Sequence, residues 1–267
     1  MTTPRILPVI VLYKCSLYDA KSYQTLLARN DFQQIVVYDN SPAAFHTPNY
    51  DSSQLIYHRN LSNGGVSAAY NYGMQKAEEL DYERILLLDQ DTEFAPYAGQ
   101  SYQQGNSKIA LWAPSLITQT KNFSPVNIRK WRPNGVSLTA GLHPLLHFAP
   151  VNSGMCIAVK AMRSVGGYDE DVFLDYADFV FCQRLAARHP YFQLLPTEAF
   201  QDFSNEGKST ASLIQRYGLY LKSVSHVDAP DFIGRLKLRY QILRHTFALL
   251  MRTRSWKIIR LFSRYLF

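Results

Sequence analysis

The run Leu86-Leu87-Leu88-Asp89-Gln90-Asp91 ends three leucines on two carboxylates spaced i, i+2. On an extended chain, side chains alternate with period 2, so Asp89 and Asp91 face one point and Gln90 turns away. Two acids held together repel, which does nothing for stability. The pair does offer hard oxygen ligands for Mg2+ or Mn2+, cations that usually keep water and substrate phosphates as further ligands. A polar turn closing a strand is the alternative.

Three other features carry chemistry. In Asn63-Gly64-Gly65, the glycines let backbone approach a ligand where a helix begins, and helix N-terminal amides favour anions. A tight turn needing positive φ is the other reading. No Lys-Ser/Thr follows and no G-x-G-x-x-G occurs, which disfavours an ATPase or a dinucleotide enzyme. Asp39 stops a β-branched run, where it can accept an N–H from a pyrimidine base or close an Asx turn ahead of Pro42. Asp178 lies near a helix start. The positive end of the dipole keeps a carboxylate ionised there, as a general base requires, although such an acid can also serve stability alone.

These residues need a scaffold that gathers them. The apolar run 6–13 reads as a buried strand, followed by a helix over 19–30. Strands follow over 34–41 and 54–60. A helix over 63–80 carries Val66, Ala69, Tyr70, Gly73 and Met74 on one stripe, and a strand covers 84–89. This alternation predicts right-handed βαβ units and a mostly parallel sheet. Ligands of such sheets bind beyond the strands' carboxyl ends. Tyr13-Lys14, Asp39-Asn40-Ser41, Asn60 and Asp89-Gln90-Asp91 are thereby expected on one rim. Residues 108–117 suggest a strand and turn, 119–148 an excursion or hairpin, and 149–170 a strand, a short helix and a Gly-Gly turn. A helix is expected over 173–189.

At 267 residues with 47% hydrophobic and 18% charged side chains, the chain can bury a sizeable core. Three scattered cysteines, Cys15, Cys156 and Cys182, argue against a disulfide framework or a zinc site. The run 6–14 is short, ends in lysine and has no small-residue cleavage site, so it reads as a strand and not a signal peptide. The net charge of +7 is uneven: from Leu213 onward there are 11 Lys/Arg against 2 Asp/Glu, and before it 17 against 19. A nucleic-acid binder with a uniformly basic surface is not indicated. The basic tail interleaves Leu, Ile, Phe and Tyr with Arg and Lys at helical spacing, as an interfacial helix does.

Taken together, VIVLYK, VVYDNSP, NLSNGGVSAAYNYGM, LLLDQDTEF, VNSGMCIAVKAMRSVGGYDEDVFLDYADFVFCQRL and QDFSNEG resemble, in a consistent order over about residues 6–210, the inverting family 2 glycosyltransferases, and most of all their bacterial rhamnosyltransferase-like members. The resemblance implies an α/β GT-A fold with a mostly parallel, Rossmann-like sheet flanked by helices. It implies a catalytic domain over 1–210, with nucleotide-sugar binding mainly in 1–95 and the acceptor part in 96–210. A basic helical extension follows over 211–267.

Its site residues carry over one by one. Tyr13 and Asp39 would hold base and ribose, and Asn63, Gly64, Gly65 and Asn71 would line the donor's diphosphate and sugar. Asp89 would touch the ribose or a metal water, and Asp91 would coordinate Mg2+ or Mn2+. Asn152, Ser153 and Gly154 would border sugar and acceptor, beside Asp175, and Asp178 would deprotonate the acceptor hydroxyl.

The implied donor is a nucleotide sugar, dTDP-rhamnose ahead of a UDP-sugar. The implied acceptor is a glycan or lipid-linked glycan, with no role for nucleic acid. The implied place is cytoplasmic, at the inner face of a bacterial membrane, where anionic lipid attracts basic helices by about 1 kcal/mol per well-placed residue. Trp256, Phe262, Tyr265 and Phe267 are the expected headgroup contacts. The sequence departs from the pattern at Val180, where many relatives have an acid, and at Gln201, where many have a histidine. Asp202 is the substitute ligand on offer. These departures leave room for a non-catalytic nucleotide-sugar or carbohydrate binder on the same fold. A nucleotidyltransferase is disfavoured because no glycine-rich loop follows the first strand.

Overall fold

The computed structural model describes residues 3–30, 32–46, 48, 50, 52–119, 121–128, 135–201, 209–227 and 232–266. Four parallel strands form one half of the main sheet: β1 (Ile6–Leu12), β2 (Ile35–Asp39), β3 (Leu55–Arg59) and β4 (Arg84–Asp89), in the order β3-β2-β1-β4. β1 is apolar throughout because both of its faces are covered. Leu7, Val9 and Val11 enter one core, under α2 (Gly65–Glu79), while Ile6, Ile10 and Leu12 enter another, beside α1 (Lys21–Thr25) and α3 (Ala98–Gln103). β4 divides likewise, Ile85 and Leu87 to the first core and Leu86 and Leu88 to the second.

The other half of the sheet is mixed. β5 (Thr92–Phe94), β6 (Leu111–Ile117), β7 (Asn122–Ser124), β9 (Gly141–Pro144), β11 (Cys156–Ala158) and β12 (Tyr191–Gln201) extend the order through β4-β11-β6-β12-β5, with β7 on β6 and β9 on β12. β11 is antiparallel between β4 and β6, whereas β12 is parallel to β6. The two-residue strands β8 (Val126–Asn127) and β10 (Phe148–Ala149) form a separate small pair within the 119–148 excursion. The α/β expectation therefore holds, with its parallel order confined to the first half and to the β6–β12 pair. Arg84 anchors the junction. Its buried guanidinium lies 3.5 Å from the Trp112 ring centre and donates to the carbonyls of Ile109, Ala110 and Cys156.

Two expected helices are shorter than the patterns suggested. The segment 19–30 breaks into α1 between two 3-10 turns. Thr25 Oγ1 donates back to the Lys21 carbonyl and accepts the Phe94 N–H, so the sheet takes part of that turn. The segment 173–189 becomes helical only as α5 (Ala177–Ala186), because Tyr176 adopts left-handed backbone, φ 69°. α4 (Val159–Ser164) is the short helix expected after β11.

The chain then forms α6 (Thr210–Ser225), α7 (Phe232–Thr253) and α8 (Lys257–Leu266), joined by a cluster of Tyr217, Leu221, Leu249 and Ile258. No helix among the described residues is long and apolar enough to cross a membrane. The outer face of α7 exposes Leu236, Tyr240, Leu243, Phe247 and Met251. Trp256 and Tyr265 are exposed as well, but Phe262 packs inward on the helical cluster, and Phe267 lies outside the described residues.

Candidate active site

Parallel order places the ends of β1 and β4 side by side, with Val11 opposite Asp89. A cavity of about 330 Å³ opens there, lined among others by Tyr13, Asp89, Gln90, Asp91, Asn152, Asp175, Asp178 and Gln201. β4 ends at Asp89, and Gln90 and Asp91 form a turn rather than continuing extended. Gln90 is consequently not turned away. Its Oε1 accepts the Tyr13 N–H at 2.8 Å, its Nε2 donates to the Tyr13 carbonyl, and its side chain lines the cavity. The two acids still interact: burial first, then the Asp91 charge, push the Asp89 carboxyl up to about 7, against a stabilising hydrogen bond from Tyr70. Burial, and next the Asp89 charge, raise the Tyr70 phenol well above its ordinary range, so it stays a donor.

A buried relay holds this turn. The Asp89 N–H donates to Ser153 Oγ (3.1 Å), Ser153 Oγ contacts Thr92 Oγ1 (2.7 Å), and Thr92 donates to Gln201 Oε1 (2.5 Å). Gln201 Nε2 then donates to Asp91 Oδ1 at 2.6 Å. Thr92 has one proton and gives it to Gln201, so Ser153 is the donor to Thr92. Gln201 thus reaches the Asp91 carboxylate from β12. Asp202 lies outside the described residues.

The chemistry of this donor set fits a divalent cation. Asp89 and Asp91 are hard oxygen donors whose mutual repulsion a cation relieves, and the hydrogen bonds they accept from Tyr70 and Gln201 come from neutral groups. No cluster of three or more His, Cys, Asp or Glu arranged to hold a metal occurs among the described residues.

Opposite these acids lies the turn 173–176. Tyr176 is a bulky residue at positive φ, a conformation costing of order 1–3 kcal/mol that persists only where surroundings impose it. It swings Asp175 and Asp178 into the cavity. Asp178 Oδ1 accepts the Phe179 N–H at 2.8 Å at the start of α5. Burial outweighs that hydrogen bond and, with the Asp175 charge, raises Asp178 to about 6. Asp175 Oδ1 accepts from Arg216 of α6 at 3.2 Å, while its Oδ2 is buried without a hydrogen-bond partner among the described residues. Asn152 accepts the Tyr168 hydroxyl. Gly154 donates to the Leu87 carbonyl and accepts from Tyr102.

Five expected donor residues are not among those lining this cavity. Asp39 is fully buried one strand away. Its Oδ1 accepts the Ser41 N–H (2.8 Å), closing the Asx turn, and its Oδ2 accepts the Tyr57 hydroxyl (2.7 Å), with Arg59 Nε at 3.9 Å. Gly65 sits at φ +76°, and a Cβ there would lie 2.3 Å from the Phe173 carbonyl oxygen. The Val66 N–H donates to that same carbonyl, so this helix start is held against the protein's own backbone. Gly64 precedes it as the N-cap, with no room for a Cβ beside Asn60 and Ala68. Asn71 donates to the Tyr168 carbonyl and to Glu170 and accepts the Tyr168 N–H, pinning that loop to α2. Asn63, also at positive φ, accepts the Gly65 N–H at 3.4 Å.

A second cavity of about 490 Å³ adjoins the first and shares Phe123, Val151, Asp175, Tyr176, Asp178 and Arg216 with it. Its further walls come from β8, β10, α6 and α7, including Tyr217, Tyr220, Leu238 and His245. Desolvation keeps His245 below its ordinary range and Tyr220 above. Sequence reasoning did not find these α6 and α7 residues. Their helical spacing signalled only an amphipathic segment, and nothing local marks which face meets α5.

No family model matches the chain. Over 132 residues, 46% of the chain, it is 31% identical to dTDP-rhamnosyl transferase RfbF of Shigella flexneri, and the match spans 43% of that protein's length. Among solved structures it is similar to GalNAc-T7 with UDP, GalNAc and Mn2+ (TM-score 0.57, 12% identity, 90% of this chain and 55% of that one). It is also similar to the mannosyltransferase PcManGT of Pyrobaculum calidifontis in complex with GDP-Man and Mn2+ (TM-score 0.55, 10% identity, 98% and 75%), and to S. aureus TarS 1–349 (TM-score 0.50, 12% identity, 91% and 72%). The architecture is that of GT-A glycosyltransferases.

Proposed function

We propose that the chain is a metal-assisted inverting glycosyltransferase, moving rhamnose from dTDP-rhamnose to a hydroxyl of a glycan or lipid-linked glycan. The observation that carries this reading is one cavity, at the strands' carboxyl ends, that holds a cation-suited acid pair on one side and a carboxylate raised to about 6 on the other. The relative named as a dTDP-rhamnosyl transferase supports the donor, and the Mn2+ named with two structural neighbours supports a divalent ion.

In this reading Asp89 and Asp91 would hold Mg2+ or Mn2+, which when bound would supply positive charge for the leaving diphosphate. Gln201 and the Ser153–Thr92 relay fix the direction of the Asp91 carboxylate, and Tyr70 that of Asp89. Tyr13, exposed at the cavity edge, offers its ring to the donor's base. Asp178 takes the proton from the acceptor oxygen as that oxygen attacks the anomeric carbon from the face opposite the diphosphate. An acid poised near neutrality suits this task. One displacement inverts the configuration. The acceptor occupies the second cavity, which shares Asp178 with the first.

Residues 1–210 form the catalytic unit in this assignment and 211–267 an extension that both walls the acceptor cavity and rests on the inner face of a bacterial membrane. The exposed apolar face of α7, with Arg235, Lys237, Arg239 and Arg244 exposed alongside, supports membrane contact. Thermal stabilisation by UDP-, dTDP- and GDP-sugars, with and without Mn2+, tests the whole. The expected result is the largest shift with dTDP-rhamnose and Mn2+, followed by transfer with inversion. A chain that none of these ligands stabilises rejects the proposal. Stabilisation without transfer to any acceptor favours a non-catalytic binder, a reading that Gln201 at the acid pair and the core position of Val180 keep in play.

A further inference from the structure

The donor cavity carries an electrostatic imbalance that the acid pair and base do not resolve. Four carboxylates line it, Asp89, Asp91, Asp175 and Asp178, and Arg216 is the one Lys or Arg among its described lining residues. A nucleoside diphosphate is itself an anion. Even with a divalent cation between Asp89 and Asp91, it enters a site with surplus negative charge unless another cation meets it.

Arg216 is placed for that role. It projects from the second turn of α6 and lines both cavities, so it stands at their junction. The next residue, Tyr217, is almost fully buried and bonded to Thr246 of α7 at 2.6 Å, which fixes the helix while the guanidinium stays about half exposed. Its ion pair with Asp175 is 3.2 Å long, with the Arg216 side chain about half exposed and that of Asp175 about a quarter exposed. Part-exposed pairs with this much water access are held less tightly than buried ones. A guanidinium presents a planar fork that matches phosphate oxygens better than one carboxylate oxygen.

Resting on the glycosyltransferase reading above, we propose that Arg216 is the protein's own counter-charge for the donor diphosphate: it leaves Asp175 when the donor binds and takes the phosphate oxygens. In the transfer step the acceptor oxygen forms a bond to the anomeric carbon, the bond from that carbon to the phosphate oxygen breaks, and its electron pair goes to the diphosphate. The acceptor proton goes to Asp178. Arg216 neither gives nor takes a proton; it stabilises the charge that accumulates on the leaving group.

The test compares the wild-type chain with Arg216→Gln, Arg216→Lys and Asp175→Asn. Calorimetry with Mn2+ present measures affinity for dTDP, UDP and GDP and for the matching nucleosides. For whichever nucleotide the wild type binds, R216Q is expected to weaken the diphosphate by about ten- to a hundredfold, the usual worth of a charge-assisted contact. It should leave the nucleoside unchanged. R216K should recover part of the loss, and D175N should bind the diphosphate at least as tightly as wild type. Equal diphosphate affinity in R216Q and wild type overturns the proposal, as does an equal loss for nucleoside and diphosphate, which marks a merely structural role. A wild type that binds no nucleotide overturns the parent reading and this one with it.

Discussion

Asp178→Asn should make the protein more stable at neutral pH while abolishing sugar transfer. The wild-type carboxyl is raised from 3.8 to about 6 by burial and by Asp175, which corresponds to about 3 kcal/mol between its protonation states. Its folded value lies above its unfolded one, so the folded chain binds more protons between about pH 4 and 6. Stability from this group is therefore greatest below about pH 4 and is lost as pH rises, completely so above about pH 6–7. Asparagine removes the buried charge and its Oδ1 can still accept the Phe179 N–H. Water in the cavity screens part of the effect, leaving an expected gain of about 1–2 kcal/mol at pH 8, or about 3–6 °C in Tm for a chain of this size. Thermal unfolding of both proteins at pH 8 and pH 4.5 measures it. The variant's advantage should be clear at pH 8 and much smaller at pH 4.5. A Tm difference of the same size at both pH values, or a variant less stable at pH 8, refutes the argument that this carboxylate is held charged at a cost.

Mn2+ should raise the Tm of the wild type but not of Asp91→Asn. Because Asp89 titrates at about 7, proton competition should weaken that effect below pH 7; a Tm shift independent of pH from 5.5 to 8 counts against the site. Gly65→Ala should lose about 3 kcal/mol or more in urea unfolding, since its Cβ meets the Phe173 carbonyl at a backbone angle L residues avoid. Gln201→Leu should keep the fold but weaken Mn2+ binding, by calorimetry, because Asp91 loses its orienting donor. Phe247→Glu, on the exposed face of α7, should reduce co-sedimentation with anionic vesicles and leave nucleotide affinity unchanged.

The parallel half of the sheet was readable because its central strands β1, β2 and β4 are near-continuous apolar runs, all but the last residue of β4 buried, with polar residues at or just beyond their ends. β12 went unread because Pro196 divides its apolar pattern, and its register with β6 shifts across Leu194–Glu198. At the site, the D-x-D acids and Asp178 are local signals and do share a cavity. Of the glycine pair, Gly65 has the positive φ that the tight-turn reading required, whereas Gly64 does not. Positive φ is visible in a sequence, but whether a ligand or the Phe173 carbonyl fills the freed space depends on a segment over a hundred residues later. Arg216 and Gln201 reach the cavity across the tertiary fold, from α6 and β12, and no spacing rule connects them to Asp175 or Asp91.

Helix α2 is clamped at three points to the loop that leads into α5 and Asp178. Val66 donates to the Phe173 carbonyl, Ser67 Oγ to that of Val172, and Asn71 brackets Tyr168. Loop and helix must therefore travel as one rigid jaw. Asp178, in the first turn of α5 just after that loop, is thereby held relative to the strand ends on which α2 rests; under the proposed function, the line of attack on the donor sugar is built into the resting protein. Under the proposed function, adjustment to different acceptors falls to the opposite jaw, the wall supplied by α6 and α7, and differences in acceptor among chains of this kind should concentrate there.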